Sequence, residues 1–389
     1  MPDNARPRGT WFERHPATTL ITLVLAFAVA VDLAALRIFL EPKTFSFRSR
    51  HPYYHHTLVP GFSGAARWGD IEYPMVTDSL GFRDSAARQV SLRPAGTRVV
   101  FIGDSVVEAL GVPYAESFIG VLAAEPARKD VELLNAAALS YSPTIYYLKT
   151  KFLLENVGLR FDELFVFIDI TDIQDEIRYK SFTPRLPALL DRVSLAVDGA
   201  LYRNSFAYHT LYERLVRPRE KRIETVFDPE RWSHRDIAVS GLSYSDEDRR
   251  RMEAVPEPEN GRWHWTIDPE AFRQWGEEGL KIAGSHMEAL ARLCRDRGIR
   301  LTLVVYPAPL QIYAHDLDSL QVRYWERFAR DNGASFVNLF PAFIGTATPD
   351  PDATYRKYFI ANDTHFNAEG HRYLARLLDA YVPPRRAAP

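Results

Sequence analysis

The sequence predicts an α/β protein, with a mainly parallel sheet covered by helices on both faces and one apolar, membrane-length helix ahead of it. Three observations predict it. From Arg98 to the C-terminus, short apolar runs alternate with helical stretches, and strands joined through helices pair in parallel. The strands read as unbroken apolar runs, which suits strands buried on both faces. Residues 17–40 are almost wholly apolar or threonine, enough to cross about 30 Å of hydrocarbon at about 1.5 Å per helical residue.

The composition fits this class. A chain of 389 residues with 46% hydrophobic and 25% charged residues can bury a large core, which excludes a disordered or fibrous whole. A formal charge of −2 argues against a general nucleic-acid binder. Cys294 is the only cysteine, so an internal disulfide is excluded, and its apolar helical surroundings mark it as a buried structural thiol.

Taken in order, residues 1–16 are a polar tail carrying Arg6, Arg8 and Arg14. Residues 17–40, broken by Asp32 and Arg37, read as a signal-anchor that would hold the chain in a lipid bilayer by a single pass. A cleaved signal peptide is the rival, because Ala28-Val29-Ala30 has the small residues of a cleavage site, and a buried helix is the third reading. Lys43, Arg48 and Arg50 balance the N-terminal arginines, so charge does not fix orientation.

Residues 41–95 form an aromatic, proline-containing linking or lid segment with His51, Tyr53, Tyr54, His55 and His56. No acidic or cysteine partner lies at ligand spacing, so packing is expected there rather than a metal. Thr77 to Asp84 carry turn chemistry, with Gly81 free to adopt positive φ.

Val99-Val100-Phe101-Ile102 reads as the first strand, Ser117 to Glu125 as a helix, and Leu133-Leu134 as part of a second strand. Ser142 reads as an N-cap with Pro143 opening a helix that ends near Gly158. Leu164 to Ile168 give a third strand, Leu301 to Val305 a fourth and Phe336 to Leu339 a fifth. Asp268 caps a helix that starts at Pro269 and runs to Gly298, and an amphipathic helix follows Asn367. Between the third strand and Asp268, residues 180–265 break the rhythm as an insertion, with the charge run from Arg217 to Arg222 as a solvated face.

Two stretches carry chemistry. Gly103-Asp104-Ser105 follows the first strand directly, which puts the Ser105 hydroxyl at a strand C-terminus, where ligands gather in such sheets. A serine hydroxyl is a poor nucleophile until a base takes its proton, and His365, in Asp363-Thr364-His365, is suited to that task. Asp363 would orient its ring and stabilise the protonated form. A cation site built from Asp169, Asp172, Asp175 and Glu176 lacks the glycine and ligand order of a calcium loop, so no metal and no organic cofactor are expected.

Phe101 to Ser105, Asn135 to Pro143, Asp169 to Asp172, and Asp363-Thr364-His365 with Asn367 and Gly370 resemble the four blocks of the SGNH (GDSL-like) hydrolase superfamily, over residues 98–381. The resemblance implies a three-layer, flavodoxin-like SGNH domain over residues 96–383, with Ser105, Asp363 and His365 as catalytic residues. It implies an oxyanion hole from the Ser105 and Ser140 N–H groups plus the Thr171 hydroxyl, with Asp104 and Asp172 in support. Ser140 stands where the family has glycine and Thr171 where it has asparagine, and Asn362 stands at the position of the usual aspartate. The Asp-Thr-His-aromatic run is similar to SGNH-like alginate O-acetyltransferase proteins.

The function so implied is a membrane-anchored serine esterase or O-acyltransferase, acting on an acylated envelope or exported carbohydrate from the extracytoplasmic (periplasmic) side. The alternative is a non-catalytic carbohydrate-binding or assembly protein that keeps the fold, favoured by the changes at Ser140 and Thr171.

Overall fold

The computed structural model describes residues 10–39, 47–188, 197, 200, 201, 204–211, 214, 215, 263–345, 350–361 and 363–383. The Arg217–Arg222 charge run, Asn362 and most of the 180–265 insertion lie outside them. The chain divides into two compact units, Met1–Ser46 with Pro187–Thr225, and Phe47–Leu186 with Val226–Pro389.

In the first unit, α1 (Pro16–Phe39) is a 24-residue helix with no buried residue, and it is long and apolar enough to cross a bilayer. Its Asp32 carboxylate accepts the Ala207 N–H at 2.8 Å, and Phe39 lies 5.9 Å from Phe206 between ring centroids.

The second unit opens with two antiparallel hairpins, β1 (Arg48–His51) with β2 (His55–Leu58), and β3 (Ser63–Trp68) with β4 (Ile71–Val76). A five-stranded parallel sheet follows, from β5 (Thr97–Ile102), β6 (Val131–Asn135), β7 (Glu163–Ile168), β8 (Arg300–Val305) and β9 (Ser335–Asn338), in the order β6-β5-β7-β8-β9. The five strands predicted from apolar runs are these five. β5 and β7 are buried along their whole length, which explains why neither alternates in sequence.

Helices flank the sheet. α2 (Ser105–Glu108) follows β5, and α3 (Phe118–Ala124) packs against α8 (Ala368–Leu378). α4 (Pro143–Phe152), α5 (Asp172–Tyr179) and α6 (Glu277–Asp296) pack on one another, and α7 (Leu320–Asn332) lies against β8 and β9. Asp268 caps its helix as expected, accepting from Glu270 N–H at 2.8 Å. Ser142 does not cap α4 with its own oxygen: its hydroxyl donates to Glu176, whose carboxylate accepts the Thr144 N–H at 2.8 Å and so takes over the cap.

In sheet numbering the order is 2-1-3-4-5, so the order in which the parallel strands are added changes side between β5 and β7. That change leaves a crevice beyond the carboxyl ends of these two strands. Ser105 stands just past the end of β5 and Asp169 just past the end of β7. Of the segment read as a linker or lid, residues 47–95 are built into the body: Tyr54, Leu58 and Phe82 belong to the main core, while Trp68, Tyr73 and Met75 form a second cluster with Leu139 and Ile360. Gly81 has φ +74, as its turn required, and an added Cβ would lie 2.3 Å from the Leu58 carbonyl oxygen.

Candidate active site

Ser105 reaches the crevice because β5 stops at Ile102 and α2 begins at Ser105, with Asp104 as N-cap accepting the Val106 N–H at 3.0 Å. His365 is held by the turn before α8. Asn367 caps that helix through Gly370 N–H at 2.9 Å and donates its amide to Phe359 O at 2.9 Å. Gly370 is needed at this turn because a Cβ would lie 2.1 Å from the Tyr358 carbonyl oxygen.

The two stretches, 260 positions apart, meet: His365 Nε2 lies 2.8 Å from Ser105 Oγ. On the other side of the ring, His365 Nδ1 lies 2.6 Å from Asp363 Oδ1, which also accepts the His365 N–H at 3.0 Å. Asp363 Oδ2 accepts the indole N–H of Trp68. Trp68 also meets the imidazole edge-on, with ring centroids 4.8 Å apart at 79°. The Tyr355 hydroxyl donates to Asp363 O at 2.5 Å and receives the Asp363 N–H at 2.8 Å.

The electrostatics follow from burial and pairing. Burial alone would lower the His365 pKa, but Asp363 outweighs it and holds the ring above the usual imidazole value. Burial alone would raise Asp363, but the His365 ring and then the Trp68 indole keep its carboxyl below the usual range. Burial, then the charge of Asp169, pushes Asp104 up to about 7. Asp172 is pushed well above the usual range by burial, then by Asp104 and Asp169.

Asp104, Asp169 and Asp172 converge, with one carboxylate oxygen from each lying within 4.8 Å of the others. Hydroxyls occupy much of this cluster. Tyr306 donates to Asp169 Oδ2 at 2.9 Å and Tyr146 to Asp172 Oδ2 at 2.9 Å. Asp175 and Glu176, the other members of the acidic run, lie elsewhere: Asp175 pairs with Arg178 at 3.0 Å and Glu176 caps α4.

The predicted oxyanion donors are placed differently from one another. Ser140 is buried on the pocket wall at φ +59, the left-handed conformation a glycine would take freely. Among the described residues, no protein acceptor takes the Ser105 or Ser140 N–H. Thr171 also lines the pocket, yet its hydroxyl donates to Asp169 Oδ1 at 2.6 Å and its N–H to the same oxygen at 2.7 Å. The expectation of a free Thr171 hydroxyl is corrected by this bond. The cause is Asp169, two residues earlier in the same turn, whose carboxylate brings an acceptor within reach of both Thr171 donors.

The pocket is a small cavity of about 30 Å³, walled by Leu139, Trp263, Tyr306, Pro307 and Phe366 beside the polar groups. Trp68 was not identifiable as a site residue from sequence, because its partner is 295 positions away and one indole in a hairpin carries no local mark.

No known family model matches the chain, and no match was found among curated proteins. Solved structures give distant likenesses. LAE5, an alpha/beta hydrolase enzyme from the metagenome of Lake Arreo, Spain, is 12% identical, with a TM-score of 0.37, covering 74% of this chain and 96% of that one. A catalytic mutant of Axe2, an acetylxylan esterase from Geobacillus stearothermophilus, is 12% identical, with a TM-score of 0.38, covering 77% and 100%. The psychrotrophic esterase EstA from Pseudoalteromonas sp. is 11% identical, with a TM-score of 0.36, covering 73% and 95%. Likenesses this distant carry no functional argument, which rests on this chain's own side chains.

Proposed function

We propose that this protein is a serine esterase of the SGNH type, with Ser105 as nucleophile, His365 as general base and Asp363 as the group that orients it. The observation that carries the reading is the Ser105 Oγ–His365 Nε2 distance of 2.8 Å, backed by Asp363 at 2.6 Å on the far ring nitrogen. Ser105 Oγ attacks the ester carbonyl carbon while its proton passes to His365 Nε2. The carbonyl oxygen becomes an oxyanion received by the Ser105 and Ser140 N–H groups. Collapse breaks the bond to the leaving alkoxide, which takes the proton back from His365 and departs as the alcohol. A water, deprotonated by His365, then attacks the acyl-serine and releases the acid; a sugar hydroxyl in its place makes the reaction a transfer.

The cavity of about 30 Å³ suits a short acyl group such as acetyl, since roughly 10–15 Å³ on this measure holds one water. The length and apolar composition of α1 support an anchor in a bilayer. The extracytoplasmic placement of the catalytic unit and an acylated envelope carbohydrate as substrate are proposed from the SGNH resemblance alone. The test is release of 4-nitrophenol from 4-nitrophenyl acetate. Loss of about four orders of magnitude in kcat on Ser105→Ala is expected, and unchanged hydrolysis by that variant removes the serine assignment.

A further inference from the structure

The turn that carries Ser140 is held from outside the pocket, and we propose that His56, Tyr179 and the Arg48–Glu108 pair are positioning residues that keep the Ser140 N–H aimed into the site as an oxyanion donor. The inference rests on the esterase reading above and identifies what makes its oxyanion hole rigid.

Consider the six main-chain polar groups of Leu139, Ser140 and Tyr141. Leu139 N–H donates to Glu108 Oε2 at 2.7 Å, and Leu139 O lies 2.9 Å from His56 Nε2. Ser140 O accepts the Tyr179 hydroxyl at 2.8 Å. Tyr141 N–H donates to Ala138 O at 3.1 Å, and Tyr141 O lies 3.2 Å from the Tyr146 hydroxyl, which shares its one proton between this carbonyl and the nearer Asp172 Oδ2. Four groups are bonded within the protein and Tyr141 O shares the Tyr146 proton, so among the described residues the Ser140 N–H is the one left for a ligand.

A serine at φ +59 costs energy and relaxes unless its surroundings over-determine it. The bonds on either side do so. A carbonyl can only accept, so His56 must carry its proton on Nε2, and Nδ1 then accepts from His55 Nδ1 at 2.8 Å. Burial first, and then His55, keep the His56 pKa well below the ordinary value, which maintains this neutral donor. The Tyr141 hydroxyl ties the same turn back to His56 O at 2.7 Å. Glu108 is fully buried and meets Arg48 through two bonds, at 2.7 and 2.5 Å, so its charge is paired with the guanidinium while it grips Leu139.

Arg48 and His56 come from β1 and β2, ahead of the parallel sheet. The first hairpin of the catalytic unit is thus part of its oxyanion machinery.

The experiment measures 4-nitrophenyl acetate hydrolysis by the full-length protein in detergent. Tyr179→Phe, His56→Leu and His56→Gln are compared in both the native and the Ser140→Gly backgrounds. Tyr179→Phe removes one hydroxyl and keeps the ring, so it tests the idea even where His56→Leu fails to fold. Expected are a fall in kcat of about tenfold for Tyr179→Phe and His56→Leu with KM little changed, and recovery in His56→Gln, whose amide reaches the Leu139 carbonyl. The loss should shrink in the Ser140→Gly background, because glycine occupies the left-handed turn without being held.

Native kcat in Tyr179→Phe, or losses of equal size in both backgrounds, overturns the inference. A Ser105→Ala control separates the two claims: an inert control beside fully active Tyr179 and His56 variants removes only the positioning roles, whereas an active control removes the Ser105 assignment on which the inference rests.

Discussion

Ser105 has one hydroxyl proton and two neighbours to share it, His365 Nε2 at 2.8 Å and Asp104 Oδ2 at 3.1 Å. Attack requires the proton on the His365 side, so the state of Asp104 matters. When protonated, Asp104 can donate to Oγ instead of competing for its hydrogen. Folding raises the Asp104 pKa to about 7 from 3.8, so the native state binds that proton more tightly than the unfolded chain does. This contribution to stability is present at low pH and lost as pH rises through about 7. Asp104→Asn keeps an acceptor for the Val106 N–H and cannot ionise. Thermal unfolding should show its Tm advantage over the native protein growing from pH 5 to pH 8. His365 must be neutral to act as base, and Asp363 raises its pKa, so kcat/KM should fall on an acid limb centred above 6.5. Thr171→Val should reduce kcat less than about fivefold, because the threonine hydroxyl is already bonded to Asp169; loss of a free oxyanion donor would cost a hundredfold or more. Ser105, His365 and Asp363 were legible because each sits in a short motif at an element boundary. The fate of Thr171 was not, because it depends on the geometry of Asp169, two residues away in the chain.

Two hairpins that no periodicity announced complete the site at the level of elements. β3 and β4 alternate buried and exposed positions, with Arg67 and Glu72 on the exposed side, but Gly64, the small Ala65 and Ala66, and Pro74 weaken the strand signal, and their inner face packs with Leu139 and Ile360. Through this hairpin Trp68 donates to Asp363, making the carboxylate a weaker base than the His365 contact alone would leave it. Trp68→Phe removes that donor and keeps an aromatic ring beside the imidazole. Asp363 then stabilises the His365 cation more strongly, and the acid limb of the pH–rate profile should move to higher pH. An unmoved limb would mean the indole only packs. The parallel strands were readable because burial on both faces leaves plain apolar runs. Helices α5 and α7 were not picked out: the acidic start of α5 drew attention as chemistry, while α7 alternates charged and apolar residues over only 13 positions.

For the whole molecule, the 2-1-3-4-5 strand order makes the crevice between β5 and β7 the natural place for chemistry, and the turn before α8 closes it from the opposite end of the sequence. The alternation of strands and helices foretold this architecture; the incorporation of residues 47–95 into the body became apparent only from tertiary contacts such as Trp68 with Asp363 and His56 with Leu139. A chain beginning at residue 47 should therefore retain 4-nitrophenyl acetate hydrolysis, whereas one beginning at residue 96 should lose it together with cooperative unfolding. The most direct test of the central claim is reaction with a fluorophosphonate followed by peptide mass spectrometry. One adduct per chain is expected, on Ser105, with labelling strongly slowed in His365→Asn. An adduct on another residue, or none on protein that is folded, would contradict the claim.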